Sequence, residues 1–259
     1  MERFQHKKRF GQHFLNDEEI AFRIVDALMQ KNTCRQVLEI GPGEGVLTKY
    51  LIEKEIELFI SEIDRDIIPL IRKKFSVDEK HLIEGDFLQL NFAAHFPGEV
   101  ALIGNFPYNI STQIVFKMLE NKERIPLMVG MFQKEVAERI AATHGSKIYG
   151  ITSVLTQAFY EVEYLFTVGE HVFTPPPKVK SAVIRLTRKS DTELACSPKL
   201  FTRVVKAGFN QRRKTLRNAL KSLPLHPGWE DDKILSQRAE QLSVQDFIDL
   251  TLRIESKQV

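Results

Sequence analysis

Through the first two-thirds of the chain, short apolar runs alternate with stretches in which apolar residues recur every three or four positions. The runs at 37–40, 57–63, 81–86, 100–103 and 127–132 have strand length, and most are bounded by Gly, Pro, Asn or Asp, as strands of a buried sheet are. Helical periods fall at 46–54, 67–75, 112–120, 135–143 and 152–159; in the first of these Val46, Leu47, Tyr50 and Leu51 share one face. Two more strands, at 164–168 and 182–186, close the series. This alternation predicts an α/β domain with a mainly parallel sheet and right-handed crossovers.

After Arg188 the pattern changes. Residues 189–193 are polar and read as a linker. Helical periods then occupy 199–209, 212–222 and 244–254, with Pro224-Leu225-His226-Pro227-Gly228 as a break. The expected organisation is an α/β domain over 1–188 and a small all-helical domain over 189–259.

With 259 residues, 43% of them hydrophobic and 27% charged, the chain can bury one sizeable core, and a disordered chain is excluded. No apolar run approaches the roughly 20 residues of a membrane-spanning helix, so no membrane association is expected. No apolar segment of secretory type follows the basic start Lys7-Lys8-Arg9. Cys34 and Cys196 fit no metal or redox spacing, so reduced thiols, a cytoplasmic location and no metal are expected. The net charge is only +3, but it is unevenly placed. Between Cys196 and Trp229 there is no Asp or Glu, whereas Lys199, Arg203, Lys206, Arg212, Arg213, Lys214, Arg217 and Lys221 fall in that window. So one-sided a run repels itself unless a polyanion neutralises it, which favours a nucleic-acid contact over a merely solvated helix face.

Candidate chemistry collects at strand ends. In an open α/β sheet, ligands bind beyond the carboxyl ends of the strands, and a candidate group follows each of the first four. Glu39-Ile40-Gly41-Pro42-Gly43-Glu44-Gly45 permits a tight turn and close backbone approach. It lacks the Gly-x-Gly-x-x-Gly spacing of dinucleotide sites, and Glu44 near the helix start would repel a pyrophosphate. Glu62 can accept from two ribose hydroxyls. Asp86 can accept from an adenine amine, with Phe87 beside it for apolar contact. Asp64 and Asp66 read instead as helix caps, because Ile67 opens a helix. S-adenosylmethionine, which carries adenosine but no phosphate, is the common ligand that matches.

The fourth group, Gly104-Asn105-Phe106-Pro107-Tyr108-Asn109, ends a strand in an amide, a carbonyl and an aromatic face. These suit a flat base whose exocyclic amine must be oriented, because the lone pair of such an amine is delocalised into the ring. If the Asn105 side-chain oxygen and the Phe106 carbonyl accept its two N–H protons, the lone pair can turn toward an electrophile while Tyr108 stacks on the base. The plain alternative is a strand ending in a Pro-containing turn.

These motifs are joined by Arg9-Phe10-Gly11-Gln12-His13-Phe14-Leu15, Gln133-Lys134-Glu135-Val136, Phe173-Thr174-Pro175-Pro176-Pro177-Lys178-Val179 and Phe209-Asn210-Gln211-Arg212-Arg213-Lys214. In that order, from about residue 7 to 250, the chain resembles the ribosomal-RNA adenine N6-dimethyltransferases, most closely the bacterial small-subunit (16S) type. The resemblance implies a Rossmann-like S-adenosylmethionine-dependent methyltransferase sheet with a small helical C-terminal domain. It implies cofactor contacts from His13, Leu15, Gly41, Glu62, Asp86 and Asn105. It implies catalytic roles for Asn105, Phe106, Pro107, Tyr108 and Phe173, the last packing on the target base opposite Tyr108. Three consecutive prolines would stiffen the Phe173 loop into an extended form. His13 stands where the family usually has Asn, and Phe106 where it usually has Leu.

The resemblance also implies that Arg212, Arg213, Lys214, Arg217 and Lys221 lie along one basic helix. That helix would help dock the enzyme on 16S rRNA of the immature small subunit, with Lys7, Lys8 and Arg9 adding to the same field; separately, a monomer is expected. Three other readings are a large-subunit (23S) enzyme of macrolide resistance, a protein glutamine methyltransferase, and a ribosome assembly factor without catalysis. The run 209–214 and the Phe-Thr-Pro-Pro-Pro-Lys loop favour the small-subunit type over the first. Phe106, where the second would carry Pro, argues against it. The retained Asn-x-Pro-Tyr groups and strand-end acids argue against the third.

Overall fold

The computed structural model describes residues 13–223 and 232–256. The Lys7-Lys8-Arg9 start, positions 9–12 of the first motif and the break at 224–228 lie outside the described residues. The chain forms two compact units, one of 1–137 with 161–188, the other of 138–160 with 189–259.

In chain order the elements are β1 (Phe14–Leu15), α1 (Glu18–Met29), β2 (Gln36–Ile40), α2 (Thr48–Leu51), β3 (Glu57–Glu62), α3 (Ile67–Phe75), β4 (Leu82–Glu84), α4 (Phe92–His95), β5 (Val100–Asn105), α5 (Ser111–Glu120) and β6 (Leu127–Gln133). There follow α6 (Lys134–Ala141), α7 (Ile151–Gln157), β7 (Tyr160–Val168), β8 (Phe173–Thr174), β9 (Ser181–Arg188), α8 (Pro198–Asn210), α9 (Leu216–Ala219), α10 (Lys233–Ser236) and α11 (Val244–Glu255).

The first unit is built on a seven-stranded sheet of order β4-β3-β2-β5-β6-β9-β7. The pairs β4–β3, β3–β2, β2–β5 and β5–β6 are parallel, and β9 is antiparallel to β6. Val100, Ala101, Leu102 and Ile103 of β5 are fully buried on both faces, as a covered parallel sheet demands. β1 and β8 form a separate antiparallel pair in which Leu15 lies opposite Phe173. α1 is absent from the hydrophobic reading above. Its apolar stripe, Ala21, Ile24, Val25 and Leu28, is buried against β6 and β9, and Asp17 caps it by accepting the Ile20 N–H at 3.0 Å. The helix expected over 46–54 is only Thr48–Leu51. At the start of α3 the expected caps divide unequally: Asp64 accepts the Asp66 N–H at 3.1 Å, while Asp66 makes no side-chain cap.

In the second unit, α8 packs against α7, α9 and α11. That packing explains why 138–160 groups with the helical unit and not with the sheet domain expected over 1–188: α7 completes the apolar surround of α8. The helix expected over 212–222 is broken. α8 ends at Asn210, the Lys214 N–H closes a turn onto the Gln211 carbonyl at 2.7 Å, and only Leu216–Ala219 is helical beyond it. Arg212 fixes this turn by donating to the carbonyls of Lys147 and Tyr149. No helix among the described residues is long and apolar enough to cross a membrane.

Candidate active site

A cavity of about 210 Å³ lies at the carboxyl ends of β2, β3, β4 and β5. It straddles the point between β2 and β5 where strand order reverses, the usual ligand crevice of an open α/β sheet. Each expected strand-end group reaches it: Gly41 and Gly43 after β2, Glu62 at the end of β3, Asp86 after β4, and Asn105 to Ile110 after β5. His13 and Leu15 close one wall.

Asn105 is half-buried at the tip of β5, and its Nδ2 donates to the His13 carbonyl at 2.9 Å. A carbonyl can only accept, so this bond assigns the amide: NH₂ faces His13 and Oδ1 is left as an acceptor. The His13 ring Nδ1 lies 2.8 Å from the Pro175 carbonyl, which likewise makes Nδ1 the protonated nitrogen. His13 therefore acts through its backbone on Asn105 and through its side chain on the 173–179 loop. The Thr174–Pro175 peptide of that loop is cis.

The His13 ring also lies 5.3 Å from that of Tyr108. The Tyr108 hydroxyl is 2.5 Å from Ser181 Oγ, at the fully buried start of β9. Burial raises the Tyr108 phenol above its ordinary value, against the opposing Ser181 bond, so the ring presents a neutral, pinned face. Ser181 carries no sequence signal for this role, because its partner is 73 positions away.

Two expected site residues turn their rings into the core. The Phe106 ring is 1% exposed and packs edge-on to Phe132 at 5.1 Å, so of Phe106 only the backbone is available to a ligand. Phe173 is 3% exposed, belongs to the apolar core beside Phe14 and Leu15, and does not line the cavity. Its pairing opposite Leu15 in the β1–β8 ribbon sets this, and it removes Phe173 from a stacking position opposite Tyr108.

Among the described residues, four acids line the cavity, Glu39, Glu44, Glu62 and Asp86, and no Lys or Arg does. Such a wall repels phosphates and favours a cationic ligand. Glu62 Oε1 accepts the backbone N–H groups of Ile63 and Asp64, both at 2.8 Å, which sets the angle of its carboxylate. Asp86 Oδ1 accepts the Leu88 N–H at 2.9 Å, which holds that carboxylate at the rim. Gly41, at φ +65°, donates its N–H to the Ser61 carbonyl and binds the glycine turn to β3. At Gly43 an added Cβ would stand 2.7 Å from the Phe14 ring.

Glu39, at the end of β2, is the most deeply buried acid of this cavity. It is 1% exposed, with Oε2 accepting the Thr48 hydroxyl at 2.7 Å and Oε1 buried without a partner among the described residues. The available signal was a lone acid inside the apolar run 37–40. Burial lifts its carboxyl to about 7 from an ordinary 4.5, the Thr48 bond opposing this and Glu62 adding to it. A buried, under-bonded acid facing a cavity wants a cation or an N–H donor. The residues present thus fit a ligand carrying a sulfonium or ammonium group.

Unfolded, Glu39 loses its proton near 4.5; folded, near 7. The unfolded state is therefore the first to ionise as pH rises. The unliganded protein should lose stability between these values, by about 3 kcal/mol from this group if no other relaxes. Glu39→Gln should remove that part of the pH dependence in denaturant titrations from pH 4.5 to 7.5. An unchanged profile would mean Glu39 is not the group responsible.

Among the described residues no group of His, Cys, Asp or Glu could hold a metal ion. The expected RNA-contact residues do not share one helix: Arg212, Arg213 and Lys214 occupy the turn after α8, Arg217 lies on α9 and Lys221 beyond it. Arg212 is committed to two backbone carbonyls. The exposed basic face of a true helix here is Lys199, Arg203 and Lys206 on α8.

Residues 3–255 match the family described as ribosomal RNA adenine dimethylase. A protein of Cytophaga hutchinsonii named ribosomal RNA small subunit methyltransferase A is 57% identical over 99% of this chain and 100% of its own. One of the same name from Flavobacterium johnsoniae is 54% identical over 99% and 98%. Among solved structures, a dimethyladenosine transferase from Plasmodium falciparum superposes with a TM-score of 0.81 at 25% identity, covering 95% of this chain and 99% of that one. The 23S rRNA methyltransferase ErmE gives a TM-score of 0.68 at 24% identity over 92% and 99%, a likeness of fold alone. With its seven-stranded methyltransferase sheet and a match over nearly its whole length, the chain belongs to the ribosomal RNA adenine dimethylase family.

Proposed function

We propose that this protein dimethylates N6 of two adjacent adenosines in a hairpin loop near the 3′ end of 16S rRNA, acting as a cytoplasmic monomer on the immature small subunit. The observation that carries this is Asn105, its NH₂ locked onto His13 and its Oδ1 left to accept, at the rim of an acidic cavity beside the pinned ring of Tyr108.

The residues divide the work by position. Glu39 and Glu62 supply negative charge deep in the crevice, Asp86 an acceptor at its rim, and Gly41 and Leu15 the close backbone and apolar wall against which S-adenosylmethionine would be held. When bound, that cofactor supplies a methyl group on a sulfonium, already a good leaving group. The protein therefore needs no strong base, and none is assigned. Asn105 Oδ1 and the Phe106 carbonyl accept the N–H protons of the target amine and set the direction of its lone pair. Pro107 stiffens the turn that carries them. Tyr108 stacks on the base, as enzymes that act on extruded nucleotides do. Orienting groups of this kind lower a barrier by fixing approach geometry, with no need for acid–base exchange.

Incubation with labelled cofactor and under-methylated small subunits tests the proposal. The expected product in the RNA digest is N6,N6-dimethyladenosine. Tight subunit binding without that product would favour the assembly-factor reading. The names of the 54–57% identical relatives support the small-subunit over the large-subunit reading.

For docking, the exposed Arg213 and Lys214, with Arg217, Lys221 and the α8 face, would contact phosphates. Replacing Arg213 and Lys214 with Ala should weaken subunit binding and reduce the slope of log K against log salt by about 1 to 2. A slope equal to that of the parent would assign these side chains to solvent. Arg212 is left out of the test because its loss would free two backbone carbonyls.

A further inference from the structure

The second unit contains a polar pocket of about 350 Å³, lined by Gly145, Lys147, Arg212, Arg238, Glu240 and Gln241. Its walls are held by one backbone bond and one bond from backbone to side chain. The Gly145 N–H donates to the Glu240 carbonyl at 2.6 Å, and the Arg238 N–H to Gln241 Oε1 at 2.8 Å. The Arg212 guanidinium is fixed by the Lys147 and Tyr149 carbonyls. Gly145, at φ +84°, leaves open space where a Cβ would stand.

Three cations therefore surround one acid, and Glu240 Oε2 is buried without a hydrogen-bond partner among the described residues. A bare phosphate would suit the cations but would face that carboxylate oxygen. A small cation would suit the carboxylate but would face Lys147, Arg212 and Arg238. A ligand with an anionic group and an N–H edge satisfies both, and in a protein that acts on RNA that ligand is a ribonucleotide.

The base follows from hydrogen-bond geometry. A carboxylate presents two acceptor oxygens side by side. Guanine offers two adjacent donors, N1–H and N2–H. Adenine and cytosine place a ring acceptor beside their amine, and uracil flanks its one N–H with two carbonyls. We infer that this pocket holds one unpaired guanosine of the RNA partner, with Glu240 on its N1–H and N2–H edge and Lys147 and Arg238 on its phosphate. This rests on RNA as the substrate class but not on the chemistry of the methyl-transfer cavity.

The test is a calorimetric titration of the full chain with guanosine, inosine, adenosine and cytidine 5′-monophosphates, the methyl-donor cavity being saturated with S-adenosylhomocysteine. Guanosine monophosphate should bind at least about tenfold more tightly than the adenosine and cytidine nucleotides. Inosine monophosphate, which lacks the 2-amino group, should fall between. Glu240→Gln should bring guanosine and adenosine nucleotides to within about twofold of each other, and Arg238→Ala should weaken every nucleotide by a similar factor. No detectable binding, equal affinities in the parent, or a guanine preference that survives Glu240→Gln would each overturn the assignment. Because the readout is binding, a chain that prefers guanosine but transfers no methyl groups would refute only the catalytic proposal. One that methylates without preference would refute only this inference.

Discussion

Asn105→Ala should abolish detectable dimethylation, lowering the single-turnover rate by at least about 10²-fold, while cofactor affinity falls but remains measurable. The expectation rests on which atom is lost. Asn105 Nδ2 is engaged with the His13 carbonyl, so the side chain's remaining acceptor is the group available to orient an exocyclic amine. Removing one positioned hydrogen-bonding group from a transition state commonly costs about 10²- to 10³-fold in rate. The alanine chain also leaves the His13 carbonyl without its donor, which loosens the wall formed by residues 13 to 15 and accounts for the weakened cofactor binding. Asn105→Asp is the sharper contrast: it keeps an acceptor but sets a carboxylate oxygen against the His13 carbonyl, so it too should be nearly inactive. Rates come from quenched single turnovers and affinities from calorimetry. Near-parental turnover in Asn105→Ala would refute the role given to this amide.

The second large effect concerns Phe106, where stability and catalysis separate. Its ring is 1% exposed and occupies the space that side chains at Gly104 and Gly130 would otherwise fill. A Cβ on Gly104 would stand 2.7 Å from that ring, and one on Gly130 would collide with it. Phe106→Ala should therefore empty a well-packed site directly beneath Asn105, costing about 3–5 kcal/mol of unfolding free energy. Phe106→Leu keeps an apolar side chain over the two glycines and should cost only about 1–1.5 kcal/mol. Since the proposed contact with the target amine is the Phe106 carbonyl, the leucine chain should retain most of its rate at a temperature where it is folded. Denaturant melts and turnover on the same preparations check both halves. A stable but inactive Phe106→Leu would show that the ring itself takes part in catalysis.

Much of the first unit is legible from pattern alone. The strands at 37–40, 57–63, 100–103 and 127–132 read from their apolar runs because a parallel sheet covered on both faces requires nearly continuous hydrophobicity. What lay beyond reach depended on packing. The stripe of α1 shows its purpose only against β6 and β9, although Asp17, Glu18 and Glu19 mark its start locally. The period of 212–222 permits one continuous helix. The backbone leaves the helix at Gln211 because Arg212 finds carbonyls at 147 and 149, a partner no local period announces.

The same division holds at the active site. By itself the sequence determined which side chains stand at the carboxyl ends of the first four parallel strands, because strand boundaries and their flanking residues are local properties of the chain. Tertiary structure alone decided which of those side chains meet and how. The bond from Asn105 to His13 spans 92 positions, and the contact of Tyr108 with Ser181 spans 73. Antiparallel pairing of β1 with β8 turned Phe173 into the core, and burial left Glu39 Oε1 without a partner. Periodicity records what a residue does to its own segment; hydrogen-bond direction, burial and charge depend on neighbours that only the folded chain brings near.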